Sequence, residues 1–132
     1  MMMNKKMKKM NLTAIDKLAL SQFSSIEKEC IYQVVYATML VDGERHPREH
    51  QLVEEIVEVI GLSVEEREMS KLLDETTVIE TIRKMSDLQR AYVAKFIAQM
   101  ILVDGKVTDH ERLFFNILLD KLNLPEDTSD LK

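Results

Sequence analysis

The sequence predicts an all-α fold, a single-domain helical bundle of six to seven helices, and three features of the 132-residue chain predict it. Only three Gly and two Pro occur, too few for the turns of a sandwich or barrel or for a phosphate-cradling nucleotide loop. Gly43, Pro47, Gly61, Gly105 and Pro125 all fall between apolar-periodic segments and never inside one, as helix breakers should. Four segments open with Ser or Thr followed three residues later by Glu or Gln, the reciprocal capping signature of a helix N-terminus. With 45% hydrophobic and 31% charged residues, the chain has the material for one core and a solvated surface.

The elements follow in order. A short helix is expected near 13–22, and Ser24 with Glu27 opens a second that runs to about Val41. Pro47 suits the first turn of a third helix, which ends at Gly61, where a left-handed cap needs no Cβ. Ser63 with Glu66 starts a fourth, to about Leu73, and Val78 to Met85 form a fifth. Ser86 with Gln89 opens a long sixth helix to about Val103, and Thr108 with Glu111 opens the last, closed by Asn123 and Pro125.

Sliding the chain against itself exposes a repeat at an offset of 62 residues, segment 24–62 against 86–124. Leu-Val-Asp-Gly recurs at 40–43 and 102–105, Glu49 is answered by Glu111, and Gly61 by Asn123, the other residue that tolerates a left-handed cap. Each unit thus reads as helix, Asp-Gly corner and helix, and a pair of such hairpins related by a pseudo-twofold is expected. The first helix of each is apolar nearly all round, so the two should be buried nearly all round and form the centre. The second helices carry single stripes, Leu52, Val53, Ile56, Val57 and Ile60 in one, and Phe114, Phe115, Leu118, Leu119 and Leu122 in the other, and should flank that centre. Met39, Met69, Met85 and Met100 occupy core-like positions and are expected to fill the core.

Charge and cysteine narrow the function classes. Acidic residues outnumber basic ones by 23 to 18, which disfavours a phosphate backbone as partner, so no nucleic acid is expected. Lys5, Lys6, Lys8 and Lys9 lie in a Met-rich head, leaving 14 basic against 23 acidic residues in 11–132. The head at 1–10 has no signal-peptide apolar stretch and reads as a disordered tail, with a lysine contact to an anionic surface as the other reading. The helical domain is then 11–125, with a flexible tail at 126–132. The longest apolar run, Met100 to Val103, is far short of the ~20 residues of a membrane helix, so no membrane insertion is expected. Cys30 is the one cysteine and sits among Ile26, Ile31 and Val34 at helical spacing. It reads as a buried, inert thiol, and the expected compartment is the cytoplasm.

The chemistry-bearing candidates are the corners. Asp42, Glu49, Asp104 and Glu111 place carboxylates around two tight turns, where they could converge on a hard cation. The spacing is not that of an EF-hand, because glycine directly follows the first aspartate and glutamate comes at position eight. The same glutamates fit a simpler role, Glu111 closing a capping box with Thr108 and Glu49 taking the same slot after His46. Asp109 could add an oxygen to the second corner. His46-Pro47-Arg48-Glu49-His50 matches the H-x-x-E-H pattern of zinc peptidases. However, Pro47 places His46 outside the helix and no convincing third ligand follows, so these two read as exposed loop histidines, while His110, in the matching region of the second unit, keeps an adventitious zinc or nickel site open. No serine lies on a glycine elbow, and an enzyme is not expected.

On Leu40-Val41-Asp42-Gly43-Glu44 through Glu49, and Leu102-Val103-Asp104-Gly105-Lys106-Val107 through Glu111, the chain resembles the tellurite-resistance TerB-like family, all-helical domains with a doubled Asp-Gly-x-x-x-x-x-Glu corner. The resemblance spans roughly residues 24–124. It implies a small cytoplasmic domain in stress resistance of the tellurite type, holding a divalent cation, calcium or zinc, at Asp42, Glu49, Asp104 and Glu111. It also implies a protein partner, such as a membrane-associated complex. The chain departs from a symmetric pair of corners at Lys106, where the first corner has Glu44, and at Val107, where it has Arg45. The alternative reading is a non-catalytic interaction scaffold whose acidic corners are only helix caps.

Overall fold

The computed structural model describes residues 12–41, 47–103, 105 and 107–125. Among these it holds seven helices and no strand: α1 (Ala14–Leu20), α2 (Ser25–Leu40), α3 (Pro47–Ile60), α4 (Val64–Ser70), α5 (Glu75–Arg83), α6 (Asp87–Leu102) and α7 (Asp109–Lys121). The expectations for the head at 1–10 and the tail at 126–132 fall outside the described residues, as do Asp42, His46 and Asp104.

Capping side chains explain where the helices other than α3 begin. Ser24, Ser63, Ser86 and Thr108 each accept the N3 backbone N–H, and the N3 side chain of Glu27, Glu66, Gln89 or Glu111 accepts the cap's own N–H. Thr13 and Asp16 form a fifth such box at α1. The fifth helix starts earlier than the apolar pattern implies. Asp74 accepts from Thr77 N at 2.9 Å, so α5 begins at Glu75, and two threonines that interrupt the apolar period lie inside it.

α2 packs against α3, α4, α5 and α6, while α6 also meets α1, α3 and α7. The core runs between these two long helices. It takes Cys30, Ile31, Val35 and Met39 from α2, Val93, Phe96, Ile97, Met100 and Ile101 from α6, and Leu52, Val53, Ile56 and Ile60 from α3.

Neither long helix is sealed all round. Ala37 and Leu40 of α2 and Leu88, Ala91 and Lys95 of α6 are exposed, and Ala98 is half-buried. The short helices cannot cover sixteen-residue neighbours along their whole length, so small apolar residues remain at the rim. The stripe of α7 is likewise only partly covered: Phe115 and Leu122 are buried, while Phe114, Leu118 and Leu119 are half-buried. Met39, Met85 and Met100 fill the core as expected, but Met69 is 52% exposed, because α4 turns a different face to α2 from the one its methionine marks.

Several local features correspond at the 62-residue shift. α2 and α6 each have sixteen residues and leave through Val41 and Val103 in the same conformation, with φ −63° at both. Gly61 and Asn123 adopt φ of +74° and +55°. After them, Leu62 N donates to Val57 O and Leu124 N to Leu119 O, at 3.0 and 2.9 Å, which closes each helix C-terminus. Lys28 reaches the Gly61 carbonyl, and Arg90 the Asn123 carbonyl.

Candidate functional site

Glu49 and Glu111 occupy the third position of α3 and α7, and both are shut away from water, with 3% and 2% of their surface exposed. Carboxylates are seldom buried so deeply unless paired or ligating. At the second corner part of the reason is local. Glu111 Oε1 accepts Thr108 N–H at 2.9 Å, and Thr108 Oγ1 accepts Glu111 N–H at 3.1 Å. This satisfies two otherwise orphaned donors, where the helix dipole also favours negative charge. Gly105 lies in the left-handed region at φ +90°, so this corner needs glycine for its backbone.

The structure therefore places two of the four expected cation-site residues, Glu49 and Glu111, at buried first-turn positions. Asp42 and Asp104 lie outside the described residues. Among the described residues no group of three or more His, Cys, Asp or Glu is arranged to hold a metal ion. Asp109, His50 and His110 are exposed on helix first turns; His50 stands on α3, not in a loop.

Cys30 is fully buried. Loss of solvation pushes its thiol up to about 11, with a hydrogen bond to Thr81 working against the shift, so little nucleophilic thiolate forms at neutral pH. Glu29 is also buried, and desolvation, with the nearby Glu66 charge, holds its carboxyl above the usual range. Glu66 moves the other way because the Ser25 hydroxyl and the Ser63 backbone donate to it.

A feature the sequence reading missed lies along the outer face of α2. Two grooves, of about 430 and 330 Å³, flank this face and share Gln33 and Ala37. The first is walled by Tyr32, Tyr36 and Leu40 of α2 and by Arg67 and Lys71 at α4. The second is more apolar, with Val34, Val78, Ile79, Phe114 and Leu118. Tyr32 and Tyr36 stack with ring centroids 5.8 Å apart, and the Arg67 guanidinium lies 4.9 Å from the Tyr32 ring centre. Arg67 also donates to Tyr32 Oη at 3.0 Å and forks onto Glu54 of α3. Gln33 donates to the carbonyls of Ser70 and Leu73 at 2.7 and 2.9 Å, tying the end of α4 to α2. The tyrosine pair at spacing four was the legible signal, although its partner Arg67 lies 35 residues away.

Such an arrangement can bind, but it offers no nucleophile and base in contact. Because Arg67 joins α2, α3 and α4 while remaining partly solvated, Arg67→Met is expected to cost about 1 kcal/mol. Urea unfolding of the two proteins checks this, and equal midpoints would contradict it.

No family model matches the chain, and no curated protein matches it significantly in sequence. Its fold is similar to that of a crystal structure of a protein of unknown function from Porphyromonas gingivalis W83. That likeness has a TM-score of 0.67 at 19% identity and covers 93% of this chain and 90% of the other. It establishes the all-α helical fold. Among the described residues, no helix is long and apolar enough to cross a membrane.

Proposed function

We propose that this chain is a small, non-catalytic TerB-like module of the cytoplasm that binds a hard divalent cation at its Asp-Gly corners in a stress response of the tellurite-resistance type. The supporting observation is the deep burial of Glu49 and Glu111 at matching places in α3 and α7. The doubled Leu-Val-Asp-Gly sequence supplies two further carboxylates, Asp42 and Asp104, each seven residues before its glutamate in the sequence. The donor set is oxygen only, which favours calcium over zinc. When bound, the cation would offset the charge of the carboxylates.

The second reading, an interaction scaffold, is favoured by the Thr108–Glu111 box, which gives one glutamate a purely structural role, and by the grooves along α2. A protein partner would dock there whether or not a cation is present.

Thermal melts with and without millimolar calcium, and separately micromolar zinc, distinguish the two. Under the cation reading calcium raises the melting temperature of the wild type, by about 2.7 kcal/mol of stability at a hundredfold excess over the dissociation constant. Asp42→Asn with Asp104→Asn abolishes the shift. An equal shift in both proteins, or none in either, rejects the corners as a cation site and leaves the scaffold. Under the caps-only reading, Glu111→Gln keeps the acceptor and costs well under about 1 kcal/mol.

A further inference from the structure

α4 lies along one strip of α2, and its polar contacts define the seat. At the start of α4, the Ser25 hydroxyl donates to Glu66, and the Lys28 ammonium stands 3.8 Å from the same carboxylate. In the middle, the Arg67 guanidinium covers the Tyr32 ring. At the far end, Gln33 donates to the carbonyls of Ser70 and Leu73, where a helix terminus leaves acceptors unpaired. α4 therefore runs parallel to α2. The 62-residue shift carries this strip onto α6, where Ser25, Lys28, Glu29, Tyr32, Gln33 and Tyr36 become Asp87, Arg90, Ala91, Ala94, Lys95 and Ala98. The spacing again sets these residues on one side of the helix. Among the described residues, no helix follows α7 to take the seat that α4 takes after α3. Exposure records the difference: Glu29 is buried with Glu66 of α4 nearby, whereas its counterpart Ala91 is open to water, as is Lys95. Leu88, at the edge of the strip, is 56% exposed.

We infer that this strip of α6 is a docking site for a short amphipathic helix of a partner protein, seated as α4 is seated on α2 and parallel to α6. Charge and volume select the partner. Lys95, in the place of Gln33, presents a cation to the carbonyl end of the docked helix, where the helix dipole is negative. Asp87, in the place of Ser25, replaces a hydroxyl donor with a carboxylate; although Arg90 pairs with it, its side chain is 96% exposed. A basic residue then fits where α4 carries Glu66. Ala94 and Ala98 are smaller than Tyr32 and Tyr36, so aliphatic side chains fill the space where α4 presents Arg67 and Ser70. The partner helix thus has about two turns, a cation in its first turn and an aliphatic inner face. The residues after Pro125 begin Glu126-Asp127 and end in Lys132, the reverse order of charge, so the complement belongs to another chain. The strip uses none of the Asp-Gly corner or α2 groove residues and rests on neither reading above.

The probe is a peptide of residues 63–73 carrying Glu66→Lys, Arg67→Leu and Ser70→Leu, set against the same peptide unchanged. Titrated into the isotope-labelled full chain, the altered peptide is expected to shift the amide resonances of residues 87–98 saturably, with a dissociation constant of roughly 0.1–1 mM. The unchanged peptide should bind about tenfold more weakly, having lost the aliphatic contacts and the charge match. Lys95→Glu in the chain should weaken binding roughly three- to tenfold, and Ala91→Trp, which fills the strip, should abolish it. Both positions are exposed, so melts followed by circular dichroism should stay near wild type, which separates loss of the seat from loss of the fold. Five results would overturn the inference: no saturable shift in 87–98, shifts centred on α2, equal binding of the two peptides, indifference to Lys95→Glu or Ala91→Trp, or tighter binding once residues 126–132 are deleted, which would give the seat to this chain's own end.

Discussion

Val35→Asp is expected to unfold the protein. Val35 lies on α2 with 1% of its surface exposed, facing the core that α2 shares with α6. A carboxylate there has no solvent and no cationic partner, which costs several kcal/mol or forces the group to remain protonated. Against a total stability of roughly 5–15 kcal/mol, that removes most or all of the folded population. Ile97→Asp, at a fully buried position on α6, should behave alike. By contrast, Ala98, which the apolar run on α6 also marks as central, is half-buried, and an aspartate there can turn its carboxylate outward at less cost. Circular dichroism melts of the three variants check the ordering. A melting temperature near wild type for Val35→Asp and Ile97→Asp would mean that the core lies elsewhere.

Phe96→Ala should lower stability by about 3–5 kcal/mol, since the ring is 1% exposed and its removal leaves a cavity that helices pinned at both ends cannot close. For a chain of this size that is a fall in melting temperature of roughly 10–20 °C. The adjacent Lys95→Ala is expected to stay within about 0.5 kcal/mol, because Lys95 is exposed to solvent on the same helix. Chemical denaturation of both variants measures the contrast. Similar losses at 95 and 96 would show that α6 is rotated from the orientation described.

Most of the fold was legible because its signals are local. A Ser or Thr with an acid or amide three residues on marks a helix start without reference to anything distant, and four of the five such boxes were read this way. The fifth, Thr13 with Asp16, has the same form. Gly61 and Asn123 were recognised as left-handed caps because the steric rule acts on single residues. The start of α5 was misplaced because Asp74 caps it alone, without a reciprocal partner, and the following threonines hide the apolar period. Of the cation-site candidates, the capping role of Glu111 was readable from Thr108, whereas the depth to which Glu49 and Glu111 are buried was not.

The sequence by itself determined the helix starts other than that of α5, the left-handed caps, the inward face of α3 and the burial of Cys30, since each depends on side-chain period or on the conformational freedom of one residue. Only the tertiary structure decided which parts of the apolar helices stay uncovered. Periodicity states that Ala37, Leu40, Leu88, Ala98 and Met69 could be buried, but not whether a neighbouring helix is long enough to reach them. It also decided that Arg67 would stack on Tyr32 and fork onto Glu54, that the Tyr92 hydroxyl would donate to Asp16, and that grooves would open along α2. Those outcomes rest on contacts between residues far apart in the chain, and such contacts leave no periodic trace.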